Sequence, residues 1–256
     1  MYTHEELYQL LEEKVKRYNH PGFITSDPVQ IPRRFSKKEN IEIAGFLAAT
    51  IAWGQRPVII KNAHRLMQGM DNNPYQFLLD TTEADWLHLA DFKHRTFNSA
   101  DLFFFLKSLQ NIYKNHGGLE QVFTEGYQSD QTVFSALTHF RRIFFEIDSP
   151  HRTQKHISDV SKNSSAKRLN MFLRWMVRND NAGVDFGLWK NVPSSALMLP
   201  LDVHTGNISR QLGLLQRTQN DWKAVVEVTS RLAEFDPTDP VKYDFALFGM
   251  GVFDNF

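Results

Sequence analysis

Residues 37–53, KKENIEIAGFLAATIAW, constrain the fold more than any other stretch of the chain. After one polar turn, Ile41, Ile43, Ala44, Phe46, Leu47, Ala48, Ala49, Ile51 and Ala52 leave almost no polar face. A helix that is apolar on most sides must be enclosed by other elements, so the chain has to build a core around it. Ser36 and Glu39 have the spacing of a capping box at its start. Gly54 can end it, and Pro57 suits the first turn of the next helix.

Elsewhere the apolar period is about 3.6 residues, the period of an amphipathic helix. Leu7, Leu10, Leu11, Val15 and Tyr18 form one stripe that stops at Asn19-His20-Pro21-Gly22. Leu102, Phe105, Leu106, Leu109 and Ile112 mark one face of a helix over 99–115. The same pattern predicts helices over 57–70, 74–80, 83–90, 118–125, 130–146, 165–179, 193–199, 205–213, 219–233 and 239–250. Only short pieces such as Val29-Gln30-Ile31 alternate as a strand would. The expected class is all-α, built from many short helices.

A chain of 256 residues is long enough for one large domain or for two lobes. Its 29 basic and 29 acidic residues balance, so no global field selects a polyanion or a membrane. It has no cysteine, which excludes disulfides, zinc-thiolate sites and iron–sulfur clusters and fits a reducing compartment. The amphipathic N-terminus is no signal peptide, and no apolar run reaches membrane length. A cytoplasmic protein without membrane partners is expected.

Charge is concentrated locally. Between Phe140 and Arg178 stand nine Lys or Arg residues against Glu146, Asp148 and Asp159. Such a segment either binds phosphate or is a solvated face paired with acids from elsewhere. Within it lies NSSAKRLNMFLRWMVRND, where Leu169, Phe172, Leu173 and Met176 commit one face to a core. Lys167, Met171, Arg174 and Arg178 form another stripe. Ser164 or Ser165 can cap the start, leaving Lys167 in the first turn. The positive end of the helix dipole and Arg168 both disfavour an ammonium there, a setting that favours amine nucleophilicity.

A second candidate stands in MLPLDVHTGNISRQLGL, residues 198–214. An apolar run leads into Asp202, and a helix follows. Asp202 can cap that helix, and the same amide contacts can aim its carboxylate at a site. His204 stands beside it, able to hydrogen-bond or to pack.

LPLDVHTGNISRQLGL, in which one residue separates Arg210 from Leu212-Gly213, resembles the segment after the hairpin of the helix-hairpin-helix DNA glycosylases, which reads as apolar residues, Asp, Thr or Val, His, a helix and Arg-x-x-x-Leu-Gly. FLAATIAWGQRPVIIKNAHRLM, HRTFNSADLFFFLKSLQNIYKNHGGLEQVF and YDFALFGMGVFDNF resemble further blocks of that family in the same order, over roughly 40–256. The likeness is greatest to an uncharacterised bacterial family allied to these enzymes. The Lys167-to-Asp202 spacing is nearest that of the archaeal 8-oxoguanine glycosylase branch. One departure is HISDVSKNSSAKR, which lacks the glycines of the family hairpin.

The resemblance implies a two-lobed helix-hairpin-helix glycosylase-like fold with a central cleft. Residues 40–185 would form the middle lobe, and 1–39 with 186–256 the second. It implies excision of a damaged base from double-stranded DNA, with Lys167 attacking the sugar, Asp202 assisting departure of the base, and strand cleavage following. Gln55 would enter the base stack. Arg56, Ser164, Ser165 and Arg168 would contact the backbone, with His204 beside Asp202. Trp53, Trp175, Phe144 and Trp189 are the aromatics considered for stacking on the extruded base. No metal or organic cofactor is implied, and a monomer is favoured. The alternatives are an inactive nucleic-acid-binding protein and a structural module that retains only the fold.

Overall fold

The computed structural model describes residues 2–254; Asn255 and Phe256, the last two residues of the C-terminal block quoted above, lie outside the described residues. Eleven α-helices occur among the described residues. They are α1 (His4–Tyr18), α2 (Lys38–Thr50), α3 (Arg56–Gly69), α4 (Pro74–Asp80), α5 (Ser99–Asn115), α6 (Leu119–Gln128), α7 (Val133–Phe144), α8 (Lys167–Val177), α9 (Val203–Gln211), α10 (Trp222–Ala233) and α11 (Tyr243–Val252). The fold is all-α apart from one antiparallel hairpin, β1 (Lys93–His94) with β2 (Phe97–Asn98). None of these helices is long and apolar enough to cross a membrane. The chain divides into two compact units, one of residues 26–158 and one joining residues up to Thr25 with those from Asp159 onward.

In the unit of residues 26–158, α2 is buried at every position from Asn40 to Thr50, as its composition requires. Phe46 projects from it among Phe105, Phe140 and Phe144, with ring centroids 5.5–5.9 Å away. Helix α5 opens with a reciprocal capping box between Asn98 and Asp101. Ser36 and Glu39 do not form the expected box. The helix begins one residue later than they require, its cap is Lys37 with no side-chain bond, and the Lys37 ammonium lies 4.3 Å from the Tyr75 ring. Val29-Gln30-Ile31 is not a strand. Pro28 sets the first position of a short 3-10 turn, and Asp27 accepts from Val29 N at 2.9 Å. Residues 83–89 also wind as 3-10 helix, and of 193–199 only Ser194–Ala196 does so. The hairpin escapes sequence reading because two residues per strand are too few to alternate.

In the other unit, α11 packs against α1 and α9. Contact with α1 is close because Gly249 has no side chain. A Cβ there would stand 2.1 Å from the ring of Tyr18, whose hydroxyl bonds Asp254. Lys14 and Arg17 also reach Asp254, at 3.0 and 3.4 Å. Gly249→Ala is therefore expected to lower stability by about 2–3 kcal/mol through overpacking, despite the better helix propensity of alanine. Chemical denaturation measures this, and a variant as stable as the wild type would refute the packing described.

Candidate active site

Helix α8 begins at Lys167, but neither serine caps it in the expected way. The cap position is Ala166, held in the left-handed region at φ 48°, ψ 33°. Ser164 Oγ accepts from Ala166 N at 3.3 Å, one residue ahead of the helix. Asn163 is also left-handed, at φ 64°. In the stretch without glycines, two ordinary residues thus adopt backbone conformations that glycine adopts freely. For alanine this costs about 1–3 kcal/mol, which the surrounding contacts must offset. Asn170, one turn into the helix, returns its Nδ2 to the Ser165 carbonyl at 3.1 Å.

Asp202 caps α9, as its position before Val203 implies. Its Oδ1 accepts from Thr205 N at 2.9 Å and from Thr205 Oγ1 at 3.1 Å. Its Oδ2 faces Lys167 Nζ at 3.7 Å. The two carboxylate oxygens thus divide the two roles read from the sequence, one holding the helix and the other meeting the amine. At 3.7 Å the pair attracts electrostatically without a hydrogen bond. Both groups remain accessible, with side chains 28% and 22% exposed.

Around the pair the backbone is tied by the loop before α10. Asn220 Nδ2 donates to the Asp202 carbonyl at 3.0 Å, and Asn220 Oδ1 accepts from Arg210 Nη2 at 2.6 Å. Asp221 Oδ2 accepts from Asn163 Nδ2 at 2.8 Å, and Ser164 forms an antiparallel bridge with Asp221. Trp222 N donates to the Asn163 carbonyl at 3.1 Å. Arg217 grips the Asp221 carboxylate through Nε and Nη2, at 2.7 and 2.5 Å. These bonds, with burial opposing them, hold the Asp221 carboxyl well below the usual range.

Beyond Lys167, Arg174 on α8 and Arg178 at its C-cap are buried, so this part of the stripe is not a phosphate-binding surface. Arg174 pairs with Asp244 and, at 3.3 Å, with Asp185. Arg178 meets Asp185 at 3.0 Å, Asp239 at 2.9 Å and Asp180 at 2.7 Å. Asp244 is the one acid in the apolar sequence of α11, and that isolation was a legible signal for a buried ion pair. Burial raises its carboxyl to about 6; Asp202 adds to the rise, while Arg174 and Lys167 oppose it. Because its folded value lies above the unfolded one, ionisation of Asp244 removes stability as pH rises from about 4 to about 6 and removes no more above that. The stability difference between wild type and Asp244→Asn should fall across that window and then level off. Melting curves at intervals of pH test this, and a flat difference would refute it.

The other residues singled out from sequence fall in both units. His204 is exposed on the first turn of α9, its Cβ against Gly251 of α11, and the Asp202 carboxylate bonds Thr205 rather than this ring. Arg168 is half-buried, and burial pushes its guanidinium down to about 10. Ser164 and Ser165 are half-buried. Trp175 is wholly buried, as are Phe144 and Trp189. In the unit of residues 26–158, Trp53 is half-buried, edge-on to His94 at 4.9 Å, and its carbonyl lies 3.0 Å from His94 Nε2. Gln55 is exposed at the cap of α3, followed by half-buried Arg56. No group of three or more His, Asp or Glu side chains among the described residues is arranged to hold a metal.

Sequence reading missed Asn220, Asp221 and Asp244. The Asn-Asp-Trp start of α10 is a visible capping signal, but its bonds to Asp202 and Asn163 are not local. No curated protein and no solved structure shows a significant match to this chain. A family profile described as "Protein of unknown function (DUF2400)" matches residues 27–253, most of the sequence, and the chain belongs to that family.

Proposed function

We propose that this protein is a DNA base-excision glycosylase with an associated abasic-site lyase step, on a helix-hairpin-helix glycosylase-like fold. The observation that carries the reading is the approach of Lys167 Nζ to Asp202 Oδ2 at 3.7 Å, with both groups partly accessible. The two residues are far apart in sequence, and one is an amine and the other a fixed carboxylate. As free amine, Lys167 attacks C1′ of the damaged nucleoside. The bond from C1′ to the base breaks, and the base leaves with the electron pair and takes up a proton. Asp202 stabilises positive charge developing on the sugar and accepts the proton lost by the amine. Opening of the sugar ring gives an imine to Lys167, and loss of a C2′ proton expels the 3′ phosphate. The substrate is double-stranded DNA carrying an oxidised or otherwise damaged base. Arg168, Ser164 and Ser165, half-buried beside Lys167 in sequence, contact the backbone. The chemistry needs no metal or organic cofactor.

A second reading, a nucleic-acid-binding protein without catalysis, is favoured by the glycine-free stretch before α8. Borohydride trapping on duplexes carrying 8-oxoguanine, uracil or an abasic site separates the two. The enzyme gives a covalent adduct at Lys167. A protein that binds duplexes with steep salt dependence, yet gives no adduct and releases no base across a broad lesion panel, is the second.

A further inference from the structure

The two halves of the candidate site come from different helices, yet adjacent residues of one loop hold both. We propose that Asn220 and Asp221 are positioning residues that set Lys167 against Asp202, one side chain fastened to each half. Asn220 fixes the Asp202 backbone at its carbonyl, 3.0 Å away, so the capping turn that aims the carboxylate cannot drift. Asp221 fixes the entry to α8 through the Asn163 amide at 2.8 Å and the backbone bridge to Ser164. The left-handed Asn163 and Ala166 then deliver the chain to Lys167. Because Asn220 and Asp221 are consecutive, the Cα separation of the two anchoring residues is fixed by a single peptide unit, which has little freedom to stretch. Arg210 on Asn220 and Arg217 on Asp221 brace each side chain in turn.

Gly206 belongs to the same device. A Cβ there would stand 2.7 Å from Asn220 Oδ1 and 2.9 Å from Asn220 Nδ2, so only glycine leaves room for the amide to reach Asp202. Alanine at this helical position is the better helix former, so Gly206→Ala disturbs the clamp while favouring the helix.

The catalytic meaning of the clamp rests on the function proposed above, and its test separates the two. Asn220→Ala, Gly206→Ala and Asn163→Gly, the last keeping the left-handed backbone accessible, are compared with the wild type. Two quantities are read. One is the single-turnover rate of borohydride trapping on a saturating abasic duplex, with the Kd of that duplex measured separately. The other is reductive methylation of Lys167 by formaldehyde and cyanoborohydride in the protein alone, mapped by peptide mass relative to the exposed Lys162. The clamp predicts trapping slowed by about tenfold, no more than in Asp202→Asn on the same abasic duplex, with Kd changed less than about twofold. It also predicts a methylation ratio displaced in the same direction as in Asp202→Asn. Unchanged trapping and unchanged methylation in folded variants overturn it. A wild type that traps no duplex defeats the glycosylase reading, and the methylation ratio alone then decides the clamp. Should Asn220→Ala and Asn163→Gly fail to fold, Gly206→Ala decides by the same measurements.

Discussion

If Lys167 is the proposed nucleophile, Lys167→Ala should abolish the borohydride-trapped adduct on abasic duplex DNA and slow release of a damaged base by about a thousandfold or more, the scale on which removal of a nucleophile acts. Asp202→Asn gives a different pattern. Asparagine is as good a helix cap as aspartate, so its Oδ1 retains the bonds to Thr205 and the turn survives. Only the charge of the second oxygen, 3.7 Å from the amine, is lost. Base release, in which positive charge develops on the sugar, should fall by about a hundredfold to a thousandfold. Trapping on a pre-formed abasic site has no base to expel and should fall much less. Single-turnover measurement of base release and trapping on matched duplexes reads both. Equal loss of the two steps in Asp202→Asn, or an undiminished adduct in Lys167→Ala, would defeat the assigned roles.

Arg178→Ala has the largest expected effect on stability. Its guanidinium is 2% exposed and faces Asp180, Asp185 and Asp239. Burial disfavours its charge, and Asp185, Asp239 and Asp180 more than offset this, holding it protonated. Removing it deprives Asp180 and Asp239 of this cation and leaves buried Asp185 with Arg174, and breaking a buried pair in this way costs about 3–5 kcal/mol. At roughly 2–4 °C per kcal/mol, the Tm should drop by about 6–20 °C. The exposed pair Arg231–Glu234 is the control, since side chains 54% and 51% exposed contribute at most about 1 kcal/mol. Arg231→Ala should melt close to the wild type. If both variants melt alike, the buried network contributes no special stability.

Arg174 and Arg178 mark the limit of local inference. Periodicity placed them on a stripe with Lys167, apart from the apolar residues, and that phase is right for a helix of this sequence. It does not reveal which stripes meet solvent. Asp185, Asp239 and Asp244 cover this one, and none of them belongs to α8. Asp101 is similar. It completes the cap of α5 as a local residue, yet it also takes Arg152 and Thr153 at 2.8 Å, which its neighbours in sequence do not announce.

What the sequence by itself determined is the helical class, the all-round burial of α2, the existence of helices around Lys167 and after Asp202, and the absence of any cysteine chemistry. These follow from side-chain period, capping and composition, which act within a few residues. Only the tertiary structure decided that Lys167 and Asp202 meet, that Arg174 and Arg178 are buried, and that Trp175 is wholly enclosed. Each depends on how separate helices pack. Packing is set by many weak non-local contacts, and no single stretch of sequence specifies it.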